Sequence, residues 1–289
     1  MLALDRFVKV LISLAYHAYR KVRTLAGALV GEGRSGRYVV LTYHAVKAGQ
    51  QERFASQMES LKKHGTVVSA EAAAPRDGEN RIAITFDDGF TSVAENALPV
   101  MEAQGVPATI FVPTGYLGAR AGWITKREHP NYHEVVLTGR QLQGLPNDLV
   151  CIGSHTVLHR DLSSVKPDEA EAELRQSKGA LESLLNRPVR LLSLPYGSCN
   201  PAVLELARTA GYQRIFLNIP VYNAAAGGED VVGRTNASPD DWGIEFTLKA
   251  RGAYEWLPIA IKVKRRLRHL LAGTMHLRAK SRDAGIANS

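Results

Sequence analysis

Two aspartates, Asp87 and Asp88, stand side by side directly after the apolar run Ile82-Ala83-Ile84-Thr85-Phe86 and directly before Gly89. Two histidines, His155 and His159, lie four residues apart after the apolar stretch Leu149–Gly153. One carboxylate and two neutral imidazoles form the donor set of an open divalent metal site, which leaves a coordination position for water. A second carboxylate beside such a site has the chemistry to take a proton from that water. Adjacent strand residues point to opposite faces, so both acids reach one site only at a turn, which Gly89 permits. The His-x-x-x-His spacing predicts both imidazoles on one face of a helical turn. The competing readings are a surface Asp-Asp-Gly turn and a chance histidine pair. The apolar run before Asp87 weighs against the first, and the combination of the two motifs weighs against the second.

Two further strand ends carry candidate chemistry. Leu194-Pro195-Tyr196-Gly197 reads either as a rigid turn closing a strand or as a backbone N–H aimed at a developing oxyanion. Leu41-Thr42-Tyr43-His44 ends on an imidazole, a candidate proton donor because it titrates near neutral pH, although a lone histidine there is often structural.

The elements that must position these residues alternate. Tyr38–Tyr43, Arg81–Phe86, Ala108–Val112, Leu149–Gly153, Leu191–Tyr196, Arg214–Asn218 and Val231–Thr235 read as short buried strands. Val93–Gln104, Pro167–Leu185 and Pro201–Ala210 read as helices, the second with proline and acids in its first turn. Seven strands alternating with helices predict an α/β barrel, closed or nearly so, with its chemistry at the strand C-terminal ends. Residues 115–138 are expected to form a rim loop over the site.

Charge is concentrated at the ends of the chain. Across 289 residues, 45% hydrophobic and 22% charged, the formal net charge is +8. Arg6, Lys9, Arg20, Lys21 and Arg23 stand near the start, and Lys262, Lys264, Arg265, Arg266, Arg268, Arg278, Lys280 and Arg282 near the end. Basic ends favour an anionic partner such as a phospholipid surface, or they are simply solvated helix faces. No aromatic–basic interleaving supports nucleic-acid binding. The apolar part of the first thirty residues is short for a bilayer span and lacks a clear cleavage site, so an amphipathic helix is expected. The expected location is cytoplasmic, with peripheral attachment to the inner membrane; secretion stays open. Cys151 and Cys199 are too few for a disulfide framework and are expected to be reduced.

Together, Thr85–Gly89, His155–His159, Pro195–Gly197 and Leu41–His44 resemble the polysaccharide deacetylases with NodB homology, carbohydrate esterase family four. The resemblance runs from about Tyr38 to Ala237. It implies a distorted (β/α)7 barrel, here over residues 36–245, with an N-terminal amphipathic helical segment (1–35) and a basic helical C-terminal extension (246–289). It implies Asp87 as catalytic base, Asp88, His155 and His159 as ligands of one divalent ion, with Zn²⁺ the expected one, and Tyr196 with its neighbours Pro195 and Gly197 at the oxyanion. The implied activity is removal of N-acetyl groups from N-acetylhexosamine units of a bacterial exopolysaccharide or its lipid-linked precursor. The alternatives are an O-acetyl esterase on the same scaffold and a non-catalytic carbohydrate-binding protein. Two departures stand out. The Arg that orients the base in many members is replaced by Ser193, with Arg234 the expected substitute. The late Leu-His motif is missing, and as in members with permuted motif order the acid role falls to His44.

Overall fold

The computed structural model describes residues 2–31, 36–72, 78–220, 223–224 and 230–263. Its strands are β1 (Arg37–Tyr43), β2 (Thr66–Val67), β3 (Asn80–Phe86), β4 (Ala108–Val112), β5 (Val150–Ser154), β6 (Leu191–Ser193), β7 (Arg214–Leu217), β8 (Asn223–Ala224), β9 (Val231–Gly233) and β10 (Thr235–Asn236). Its α-helices are α1 (Leu2–Leu29), α2 (Gln51–Leu61), α3 (Leu98–Gln104), α4 (Gly139–Gln143), α5 (Pro167–Leu185), α6 (Pro201–Thr209) and α7 (Gly243–Ala250).

The strands pair in the order β10-β1-β3-β4-β5-β6-β7-β9, every pair in this path parallel. The two ends of that path belong to one stretch of chain: β9 pairs with β7 and β10 pairs with β1, with only Arg234 between them. One interrupted strand therefore brings the sheet round to its start, and the result is a nearly closed barrel with helices outside. The β5–β6 seam is thin, with a single registered pair, Ser154 to Leu192.

Strand alternation sorts the side chains into two layers. Val39, Leu41, Tyr43, Ile82, Ile84 and Phe86 face outward into the core shared with the helices. Tyr38, Val40, Ala83, Phe111, Leu191, Phe216 and Val232 fill the barrel interior. Gly153 belongs to this inner set, and a Cβ there would meet the Phe111 ring at 2.5 Å. The inward parity falls on Ser193 at the end of β6 and, continued one step past the other strand ends, on His44, Asp87, His155, Asn218 and Arg234.

Several elements differ from expectation for local reasons. The helix expected over Val93–Gln104 forms and starts two residues earlier, at residue 91, but it is π-wound over residues 93–97 before continuing as α3, just where Pro99 removes a backbone donor. The strand expected through Tyr196 stops at Ser193, because Pro195 cannot donate to the ladder and opens a single 3-10 turn. Helix α7 crosses the boundary expected at residue 245, and Phe246 and Ala250 lie in the core that the strands share with the helices. The basic cluster from Lys264 onward lies outside the described residues. Both cysteines are free thiols. No helix among the described residues is long and apolar enough to cross a membrane.

Candidate active site

Site backbones continue the sheet by one rung. The Asp87 N–H donates to Tyr43 O at 2.9 Å, His155 N–H to Val112 O at 3.0 Å and Arg234 N–H to Leu217 O at 2.9 Å. The chain then turns sharply. Asp88 has φ 70° and Gly89 φ 59°, so the turn expected from the glycine begins one residue earlier, on the aspartate itself. That turn swings Asp88 to the same side as the inward-facing Asp87. Thr156, His159 and Tyr196 also have positive φ, so four of the five such non-glycine residues described surround this site. Left-handed backbone at non-glycine residues costs on the order of 1 kcal/mol or more each, and it persists where packing holds it.

The helical turn expected at His155–His159 is not there. The segment is a loop that is left-handed at both Thr156 and His159. Its shape comes from Glu173 on α5, whose Oε2 accepts the N–H groups of Val157 at 2.7 Å and Leu158 at 2.8 Å. A carboxylate satisfying two loop amides replaces the hydrogen bonds a helical turn would have made. Glu173 went unnoticed in the sequence, although it stands next to Leu174 on the buried face of α5, where an acid needs a partner.

The three expected metal ligands converge. Ligand atoms of Asp88, His155 and His159 all lie within 4.8 Å of one another and are buried. Asp88 Oδ1 is 3.5 Å from His155 Nε2 and 3.1 Å from His159 Nε2, yet it has no hydrogen-bond partner. Ligands about 2.1 Å from a tetrahedral ion sit roughly 3.4 Å apart, close to the two distances from Asp88 Oδ1 to the imidazole nitrogens. A buried carboxylate oxygen aimed at two imidazoles without bonding to either fits a divalent cation among them. His155 Nδ1 lies 2.8 Å from Ser193 O; a carbonyl only accepts, so Nδ1 carries the proton and Nε2 presents its lone pair. Burial pushes the His155 pKa down to about 4 against the pull of Asp87 and Asp88, which keeps the ring neutral. Trp123, from the expected rim loop, stacks on His159 with centroids 4.4 Å apart.

Asp87 is fully buried and clasped by Arg234. Arg234 Nη1 donates to Oδ1 and Nη2 to Oδ2, both at 2.7 Å. The same guanidinium reaches Ser193 Oγ and Asn218 Oδ1, each at 2.7 Å, and lies over the rings of Phe111 and Phe216. Burial alone works against charge on Asp87. The Arg234 guanidinium outweighs it, with His155 and His44 adding to the pull, and the carboxyl is held well below the usual carboxylate range.

His44, Asp87, Asp88, His155, His159 and Tyr196 line one cavity of about 370 Å³, together with Trp123 and Asn218. Pro195 and Arg234 lie behind this wall, buried. Tyr196 is 62% exposed and has φ 60° and ψ 0°. Its N–H belongs to the first turn of a one-turn 3-10 helix, where no partner exists inside the helix. Gly197 is required by space as well as by its φ of 65°: a Cβ there would lie 2.9 Å from Asn218 N. Trp123 and Asn218 were not singled out from sequence. Asn218 follows the same signal as the others, a polar residue at the end of an apolar strand.

The polysaccharide deacetylase family model matches residues 74–215. The chain belongs to the polysaccharide deacetylase family. A Bacillus subtilis (strain 168) protein, YxkH, named as a polysaccharide deacetylase, is 28% identical over 227 residues, covering 74% of this chain and 75% of that one. The poly-beta-1,6-N-acetyl-D-glucosamine N-deacetylase of Staphylococcus aureus (strain MRSA252) is 24% identical over 218 residues, 69% of each chain. The solved structure of IcaB from Ammonifex degensii superposes with a TM-score of 0.64 at 23% identity, over 76% of this chain and 98% of that one, which establishes the shared fold. This protein is therefore a deacetylase, a hydrolase of the NodB-homology type.

Proposed function

We propose that this deacetylase is metal-dependent and removes N-acetyl groups from N-acetylhexosamine units of a bacterial exopolysaccharide or its lipid-linked precursor. The observation that carries the reading is the unpaired Asp88 Oδ1 between two imidazoles, with an ionised, guanidinium-clasped Asp87 beside it. The polymer is suggested by the name of the staphylococcal relative and by the shape of the cleft. A second cavity of about 470 Å³, lined in part by Lys47, Asn236 and Asp240, shares His44, His129 and Asn131 with the first. Two adjoining cavities suit neighbouring sugars of one chain.

Asp88, His155 and His159 are the residues that would hold the ion. When bound there, a divalent ion such as Zn²⁺ acts as a Lewis acid, lowering the pKa of water and polarising the acetyl carbonyl. Asp87 accepts the proton of the attacking water. Arg234 keeps Asp87 charged and fixed, and Ser193 and Asn218 hold Arg234 in turn. The Tyr196 N–H faces the carbonyl oxygen as it becomes anionic. His44 gives a proton to the departing amine as the C–N bond breaks, leaving acetate and a free amino sugar. Trp123 holds the His159 ring and screens it from bulk water.

Purified full-length protein is expected to release acetate from N-acetylhexosamine oligomers, to stop when treated with a chelator and to recover with Zn²⁺. Undiminished turnover in metal-free protein overturns the metal reading. His44→Ala separates amide from ester cleavage. Acetate release from the amide should fall about 10²–10⁴-fold. An aryl acetate ester, whose leaving group needs no proton, should lose far less. Equal losses on both substrates would remove His44 from the acid role.

A further inference from the structure

Helix α1 is amphipathic, yet its polar side faces the protein. Arg6 pairs with Glu245, Ser13 accepts from the Trp256 indole and Arg20 reaches the Gly252 carbonyl, while among the described side chains of the helix Val10 is the one large hydrophobe that is buried. The apolar side faces out. Leu4, Leu11 and Leu25 fall in one seven-residue register and Val8, Val22 and Leu29 in a second, and all six are exposed. Phe7 and Leu14 widen the stripe on one flank, Ile12 and Tyr19 on the other. At 3.6 residues per turn this arc spans about 160° and is roughly 40 Å long. An exposed apolar surface of that extent marks an interaction site.

We propose that the outward face of α1 seats the protein on an anionic lipid surface, with the helix lying in the interfacial plane. Charge selects lipid as the occupant. The helix carries five basic residues, Arg6, Lys9, Arg20, Lys21 and Arg23, against one acid, Asp5. Lys21 and Arg23 make no ion pair with any described residue, which leaves them for phosphate headgroups. A second copy of the chain fits less well. The flanks that carry partner-selecting charges in a helix pair are here mostly apolar, and the small Ala15 and Ala18 occupy the middle of the seam. Seating the helix also places the cleft. Arg6 bonds the Asp240 carbonyl at 2.6 Å, and Asp240 lines the second cavity. The start of α1 therefore lies beside the groove, close to where a membrane-anchored glycan would emerge. The docking surface itself does not rest on the chemistry proposed above.

Vesicle flotation of the full-length protein tests this. Binding is expected at low salt to phosphatidylcholine vesicles carrying about a quarter phosphatidylglycerol, and it should weaken with added salt or with phosphatidylcholine alone. Leu11→Glu combined with Val22→Glu should lower binding at least about tenfold. Thermal unfolding and acetate release from a soluble oligosaccharide should stay unchanged. Lys21→Gln combined with Arg23→Gln, which keeps the apolar stripe, should lower anionic binding about tenfold and reduce its salt dependence. Failure of the unaltered protein to float overturns the proposal. So does flotation of both double variants at the unaltered level, which places the binding in the basic residues after 263. A dimer by light scattering that Leu11→Glu with Val22→Glu dissolves, without vesicle binding, assigns the face to a second copy instead.

Discussion

Two carboxylates that face guanidinium groups differ sharply: Asp87, buried inside the barrel, and Glu255, whose side chain is largely covered beneath the N-terminal helix. Asp87 is gripped by both Nη atoms of Arg234 at 2.7 Å and lies well below the usual carboxylate range. Glu255 has Arg37 Nη1 at 3.5 Å and Arg20 Nη1 at 3.7 Å, with the Tyr16 hydroxyl at 3.3 Å. Burial raises its pKa to about 7 in spite of Arg20. Desolvation opposes charge in both places, and contact decides the outcome. A planar fork meeting both carboxylate oxygens restores what burial removes, whereas single contacts beyond hydrogen-bond length do not. The barrel achieves the fork because Asp87 and Arg234 hang from backbone fixed in the ladder. Glu255 sits in a turn that Arg20 approaches from α1 and Arg37 from the start of β1, and each guanidinium reaches it with a single nitrogen at 3.5 Å or more.

The largest expected effect lies in the barrel. Asp87→Asn should lower kcat about 10²–10⁴-fold while metal content, measured by elemental analysis, stays at the unaltered level. Full turnover in that variant would end the assignment of Asp87 as base. Arg234→Met, which strands a buried charge, should cost about 3–5 kcal/mol in urea unfolding. A loss near zero would show that the fork is not what keeps Asp87 ionised.

The pH responses should run in opposite directions. The Asp87 pair contributes stability above the ordinary value of 3.8, and this is lost as pH falls toward the depressed folded value. The native state holds the Glu255 proton more tightly than the unfolded chain does. Its stabilisation is therefore present below 4.5 and lost as pH rises through about 7. Amide exchange in α1 should accelerate over that window, and Glu255→Gln should flatten the trend by about 3 kcal/mol. The smallest effect belongs to Arg20→Met, at roughly 1 kcal/mol or less, because its distance from Glu255 makes the pair a loose one. A larger loss there would erase the distinction between the two regions.

The catalytic end of the barrel was legible because strand ends and inward parity can be read from apolar runs. His44, Asp87, His155 and Asn218 each follow such a run, although Asn218 was passed over. The N-terminal helix was legible as amphipathic from its periodicity. Which of its faces would meet the body was not, since periodicity shows two faces and does not assign them. The His155–His159 loop was misread as a helical turn because its hydrogen-bond partner, Glu173, lies on another element. Spacing alone carries no record of a partner supplied from elsewhere in the chain.

The sequence by itself determined the alternation of strands and helices, the polar residues at the strand ends and the donor types needed for a divalent ion. These depend on local propensity and on the two-residue period of strands, which act over a few neighbours. The sequence offered Arg234 as the substitute for the Arg missing at Ser193; the tertiary structure decided that it grips Asp87, 147 residues away, with both Nη atoms and from the break where the last strand brings the barrel round to its start. It also decided the left-handed backbone at Asp88, Thr156, His159 and Tyr196, which a short peptide would avoid. Such conformations and long-range pairs exist only where many packed contacts together outweigh their local cost.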